Sequence, residues 1–153
     1  MLSELREDQL QKRHWRVRKK VFGTPDRPRL SLHRSHLNLY VQAIDDLKER
    51  TLCSSSTSKL GFRGKEKGQG GNLEGAKKFG AHFAEILKKR KVHAIVFDRG
   101  GYPYQGRVRA FAEALRELAQ RAGVTLARGD SKDRGQREAL IDMNEKALKH
   151  FRE

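Results

Sequence analysis

The chain has 153 residues, with 34 Lys plus Arg against 19 Asp plus Glu, for a net charge of +15. A charge this large strains the compact state by self-repulsion, so a polyanion is the expected partner: nucleic acid first, an anionic membrane surface second. No apolar run is long enough for a transmembrane helix, the lone Cys53 excludes an intrachain disulfide framework, and the length suits one domain with one modest core.

Residues 3 to about 20 read as a helix. Ser3 is placed to cap it, and Glu4, Glu7 and Asp8 suit its positive end. These acids, with no apolar segment beside them, also argue against a signal or organelle transit peptide. The second half changes character: from Lys12 to Lys20, six of nine residues are Lys or Arg and none is acidic. Arg13, His14, Trp15, Arg16, Arg18, Lys19 and Lys20 therefore give the strongest local signal. Clustered cations neutralise phosphates and release counterions. An aromatic among them adds stacking on an unpaired base, worth roughly 1–3 kcal/mol where it occurs. The plainer alternative is a solvated charged helix, but interleaved acids for i,i+4 pairing are missing here.

Gly23 to Pro28 is a turn-rich connector carrying Arg27. Two alternating runs follow. Leu30 and Leu32 point one way, Arg29, Ser31 and His33 the other; Leu37, Leu39, Val41 and Ala43 share a face opposite Asn38, Tyr40 and Gln42. Period-two alternation on both sides of Ser35-His36 predicts a tight antiparallel hairpin. Its outer face, with Arg29, His33, Arg34, Asn38, Tyr40 and Gln42, suits RNA sugar edges and phosphates, or simply solvent. Asp45-Asp46 ends the hairpin. A third, more polar strand is expected from Thr51 to Thr57, with Cys53 as a small sheet residue.

Residues 58 to 71 hold five glycines, four Lys/Arg and one acid. Arg63, Lys65 and Lys67 can meet phosphate in this loop, whose glycines allow close backbone approach; a merely flexible loop is the alternative. It is not a P-loop, because no Gly-Lys-Ser/Thr end precedes the helix. Asn72, counted with the RNA-facing residues, caps a helix with Ala76, Phe79, Gly80, Phe83, Ala84 and Leu87 at helical spacing. Ala94 to Phe97 is a continuous apolar run, as in a strand buried on both faces. The segment from Asp98 to Arg109 joins that strand to a second amphipathic helix, whose N-terminus favours anions. It carries Arg99, Tyr102, Tyr104, Arg107 and Arg109. Both tyrosines are expected at or near the RNA surface, and Asp98 as organiser of the turn. Val108, Phe111, Ala112, Leu115 and Leu118 form the helix stripe, and Val124 to Ala127 a final short strand.

The order of elements predicts a single α/β domain over residues 21–127. Its mixed sheet joins an antiparallel hairpin to parallel strand–helix–strand units. A basic arm (1–20) precedes it. A charged helical extension (128–153) follows, with Leu140, Met143, Ala147, Leu148 and Phe151 along one stripe. Near-balanced charge suits that extension to a protein surface, so its deletion should leave RNA binding nearly intact. The rival chemistry is a metal-dependent nuclease using Asp45, Asp46 and Asp98; a general nucleic-acid-binding module is a further alternative. No metal or other cofactor is expected, and a zinc site has no partner cysteine to draw on.

Several blocks add up to a resemblance. Arg13-His14-x-Arg16-Val17-Arg18-Lys19-Lys20-Val21-Phe22-Gly23-Thr24, Arg27-Pro28-Arg29-Leu30-Ser31 and Tyr40-x-Gln42-x-Ile44-Asp45-Asp46 resemble the bacterial large-subunit ribosomal protein eighteen family. So do Val96-Phe97-Asp98-Arg99-Gly100-Gly101-Tyr102 and Gly106-Arg107-Val108. The blocks follow the family's order and cover about residues 12 to 127. The resemblance implies a mixed-sheet α/β fold, no catalysis, and binding to 5S rRNA in the central protuberance. It also implies contacts with 23S rRNA and with large-subunit protein five, as a monomer within a cytoplasmic ribosome. Arg13, His14, Arg16, Arg18, Lys19 and Lys20 match the family's RNA-contacting segment. Two departures stand out. The family usually stops near Ala127, and His33 and His36-Leu37-Asn38 stand where the family often has an aromatic and a lysine-rich turn.

Overall fold

Period-two alternation becomes a hairpin in the computed structural model, which describes residues 1–58 and 69–127. Strands β1 (Arg29–Arg34) and β2 (Leu39–Asp45) pair antiparallel, with Leu30 opposite Ala43, Leu32 opposite Val41 and His33 opposite Tyr40. Leu37 does not join the inner face. It is 64% exposed, because Ser35 and Asn38 close a turn in which Ser35 N–H donates to Asn38 O (2.9 Å) and Asn38 N–H to Ser35 Oγ (2.9 Å). Strand β3 (Arg50–Ser56) pairs antiparallel with β2, its register shifting between Ala43 and Ile44.

A 3-10 turn at Gln69–Gly71 leads into α2 (Leu73–Lys89), followed by β4 (Ala94–Asp98), α3 (Gly106–Arg121) and β5 (Thr125–Ala127). Asn72 caps α2 as the sequence requires, its Oδ1 accepting from Gly75 N–H at 2.6 Å. β4 lies parallel to β1 and to β5, giving a five-stranded mixed sheet in the order β3-β2-β1-β4-β5. The apolar stripes of α2 and α3 meet the inner sheet face, so that Leu30, Leu32, Leu39, Val41, Ile95, Phe79, Phe83, Phe111 and Leu115 form one core. Cys53 is buried on β3. Two-layer packing leaves the opposite sheet face, with His33, Tyr40 and Gln42, open to solvent. Along β4, Ile95 and Val96 are fully buried, whereas Ala94 and Phe97 are only partly so.

The basic arm is helical over α1 (Leu2–Arg18), starting before Ser3 with Met1 at the cap position and no side-chain cap. It buries none of its residues fully, and Leu10 reaches the edge of the core. It touches the body by backbone contact: a Cβ at Gly101 (φ +82°) would lie 2.7 Å from both His14 N and Leu10 O. Only glycine fits both that conformation and that distance. The loop cations Arg63, Lys65 and Lys67 and the 128–153 extension lie outside the described residues.

Gly80 sets the approach of the two core helices, since a Cβ there would sit 2.6 Å from Phe111 O and 3.0 Å from Leu115 N. Alanine would gain about 1 kcal/mol of helix propensity, but the obstacle is backbone that cannot rotate away. Overpacking of this kind costs about 1–3 kcal/mol. Gly80→Ala is therefore expected to lower the melting temperature; an unchanged or raised Tm would show that the helices separate at no cost.

Candidate nucleic-acid interface

Arg29, the first residue of β1, faces away from the helices and is nevertheless buried. Its Nε and Nη2 grip Asp46 at 2.9 and 3.0 Å, a bidentate fork, and its Nη1 reaches Asp98 at 2.8 Å. Each carboxylate has further donors. Gly23 N–H (2.8 Å) and Arg18 Nη1 (3.2 Å) bind Asp46; Gly100 N–H (2.9 Å) and His14 Nε2 (3.2 Å) bind Asp98. Burial pushes the Asp46 carboxyl up, but the Arg29 hydrogen bond, the Gly23 N–H and the charges of Arg29 and Arg18 outweigh it and hold it below the usual carboxylate range. For Arg29, burial lowers the pKa and the two carboxylates more than restore it.

This network corrects two expectations. Arg29 is not a surface contact, because it is buried and each of its three side-chain nitrogens donates to a carboxylate. The nuclease arrangement does not form either: a guanidinium, not a vacant metal position, lies between Asp46 and Asp98. Asp45 instead organises the β2–β3 turn, accepting from Leu47 and Lys48 N–H. Among the described residues no group of three or more His, Cys, Asp or Glu side chains is arranged to hold a metal ion. Asp98 organises its turn as expected, through Gly100.

Around the network the remaining cations turn outward. Arg13, Trp15, Arg16, Lys19 and Lys20 are exposed; Trp15 is 71% accessible with Lys19 Nζ 5.5 Å from its ring centre. Arg13, Arg16, Lys20 and Arg99 converge on a cleft of about 540 Å³ whose floor is Val17, Val21 and Phe97. The apolar floor escaped the sequence reading, although Val17 and Val21 stand one helical turn apart. His14 and Arg18 are half-buried anchors of α1 rather than outward groups. Arg27 is half-buried in the connector.

A second exposed group lies on the outer sheet face. His33 and Tyr40 have ring centres 5.8 Å apart, and exposed Gln42 follows two residues on, accepting from Thr51 Oγ1 at 3.4 Å. Tyr102 is a correction. Only 7% exposed, it packs in the core; its hydroxyl donates to Arg34 O (3.2 Å) and meets His33 Nδ1 (3.1 Å), and the half-buried Arg34 guanidinium lies 5.1 Å from its ring centre. Gly100 and Gly101 turn the chain back on itself, so the tyrosine that follows points in, not out. Tyr104, two residues later, is exposed. Arg107 is also committed internally, tying Gly70 O and Ser35 O together at 2.9 Å each; burial, then the charge of Arg34, lowers its pKa. Arg109 is exposed and pairs with Glu113 one turn away, and Asn72 serves its helix.

Residues 4–137 match the family described as "Ribosomal L18 of archaea, bacteria, mitoch. and chloroplast". The chain belongs to the ribosomal L18 family. It is similar to proteins called large ribosomal subunit protein uL18: 53% identical over 106 residues to that of Clostridium botulinum Eklund 17B, covering 69% of this chain and 86% of the relative. It is 49% identical over 106 residues to that of Lysinibacillus sphaericus, with the same coverage. Over 105 residues it is 49% identical to that of Koribacter versatilis, covering 68% and 85%. Membership makes the chain a structural constituent of the large ribosomal subunit, in the cytoplasm where that particle works. No helix among the described residues is long and apolar enough to cross a membrane.

Three expectations follow from the geometry. Arg29→Ala takes the guanidinium from buried Asp98 and half-buried Asp46 and should cost about 3–5 kcal/mol of stability, read by chemical denaturation. Because the folded-state pKa of Asp46 is depressed, its contribution is complete above the unfolded carboxyl value, about 3.9, and is lost as pH falls through the folded value. Asp46→Asn should flatten the acid limb of a stability–pH curve below about pH 4, and a curve parallel to the wild type would contradict the network. Tyr102→Ala should lose about 3–5 kcal/mol, as for a large buried ring, while Tyr104→Ala leaves the melting temperature nearly unchanged.

Proposed function

We propose that the chain binds 5S rRNA and fastens it to the large subunit at the central protuberance, touching 23S rRNA and the neighbouring large-subunit protein five. The observation that carries this reading is the exposed cationic side of α1. Arg13, Arg16, Lys19 and Lys20 stand in solvent with Trp15 among them, on a helix with no buried residue of its own. A helix that buries no residue fully gains little from packing; a row of cations has an electrostatic reason to face solvent. Arg99 extends the row across the cleft, and exposed His33, Tyr40, Gln42 and Tyr104 add polar and aromatic contacts suited to unpaired RNA. Arg63, Lys65 and Lys67, in a glycine-rich stretch of the sequence, are further candidate phosphate contacts. Contact is made mostly to the sugar–phosphate backbone, with shape rather than base sequence setting the register.

Arg13→Ala, Arg16→Ala and Lys20→Ala combined test the reading. Arg18 is kept, because it holds Asp46. The triple variant should bind a 5S rRNA transcript more weakly and with a flatter salt dependence. The slope of log K against log salt should fall by about 0.7–0.9 for each lost phosphate contact, about 2 to 3 in all. An unchanged slope, or equal affinity of the wild type for 5S rRNA and duplex DNA at the same salt, would overturn it.

A further inference from the structure

We propose that His33 and Tyr40 form a subsite for one unpaired nucleotide of the bound RNA, which stacks its base on the Tyr40 ring and donates a hydrogen bond to His33 Nε2. This rests on the proposed RNA-binding function and adds a contact that is not electrostatic.

The argument starts from a buried hydroxyl. Tyr102 Oη is 3.2 Å from Arg34 O and 3.1 Å from His33 Nδ1. A backbone carbonyl only accepts, so the single hydroxyl proton goes to Arg34 O. For the second contact to be a hydrogen bond, Nδ1 must carry the proton and Tyr102 must accept it. With both hydrogen bonds made, the neutral imidazole is the Nδ1–H tautomer, and Nε2, on the opposite side of the ring, keeps an acceptor lone pair. His33 is exposed, so the core dictates what the surface offers: a single oriented acceptor, which fits a hydroxyl or amine donor and rejects a phosphate oxygen.

Tyr40, directly opposite His33 in the hairpin register, supplies the stacking surface. It is 37% exposed, and its ring is tilted 45° from the imidazole, so the two rings are not packed face against face. The neighbouring outer-face residues Ser31, Gln42 and Ser54 carry no charge, and the nearby carboxylate Asp98 is matched by Arg29. Among the described residues of this face the carboxylates Asp46 and Asp98 are both held by arginine, and an unpaired nucleotide offers both a π-face and donors: the ribose 2′-hydroxyl and the exocyclic amines.

The test uses the full chain and a 5S rRNA transcript. Tyr40→Ala should weaken binding roughly 5- to 150-fold, as for loss of one base stack, with the salt slope unchanged. Tyr40→Phe, which keeps the ring, should bind within about twofold of wild type, and Tyr40→Leu, which keeps bulk and fold but not the π-face, should behave like alanine. His33→Phe keeps a ring and removes the acceptor. Transcripts carrying scattered 2′-deoxy, inosine or purine-riboside substitutions then identify the donor. An interference signal seen with wild type and absent with His33→Phe assigns it to the hydroxyl or to the amine. If no signal disappears, or if Tyr40→Ala and Tyr40→Leu bind like wild type while the arm variant still loses its slope, the subsite is overturned and the arm reading stands. If the wild type does not prefer 5S rRNA to duplex DNA, the underlying function fails first.

Discussion

The Arg29 guanidinium joins parts of the chain that the sheet alone would not hold together. Asp46 arrives from the turn after β2, Asp98 from the end of β4, and both meet the first residue of β1. Moving three charges out of water is costly, and the arrangement is tolerable because all three groups meet several hydrogen-bond partners of good geometry. The outer donors, Arg18 on Asp46 and His14 on Asp98, belong to α1. One buried cation thus transmits the position of the sheet to a helix that packs only Leu10 against the core. Gly101 completes the seat by removing the side chain that would hold the two backbones apart.

Much of this was legible in the residues, for definite reasons. Alternation in β1 and β2 and helical spacing in α2 and α3 are direct images of burial, so the core and the mixed sheet followed from pattern. Asn72 could be read as a cap because its chemistry is local. Arg29 and Tyr102 could not be read correctly. Alternation put Arg29 on the outer face, where it does lie, but the face is covered at that point by carboxylates from residues 46 and 98. Tyr102 follows two glycines, which usually signals an exposed turn; here their positive φ angles fold the chain inward. Leu37 failed for a smaller reason: the Ser35–Asn38 turn takes it out of the strand before alternation applies.

The outcome is a division of labour among the arginines that composition conceals. Arg29 and Arg107 spend their forks inside the protein, on carboxylates and on carbonyls respectively, while Arg13 and Arg16 face solvent. The family match and the +15 charge both speak for RNA, yet only some of the cations are placed to meet it. Counting basic residues therefore overstates the interface, and mutating them without regard to burial would confuse unfolding with weakened binding.

α1 is electrically lopsided. Glu4, Glu7 and Asp8 outnumber Arg6 in its early turns, and Arg13, Arg16 and Arg18 occupy its late ones, with Lys19 and Lys20 just beyond. A helix of this length spans about 25 Å, so the two groups of opposite sign form a lever. Beside a polyanion one end is pulled and the other pushed. Because the helix is fastened through His14 and Arg18, the torque acts on the whole body. Within about a Debye length, ~8 Å at physiological salt, the protein is turned basic end first, so the encounter begins from one orientation rather than from a random search.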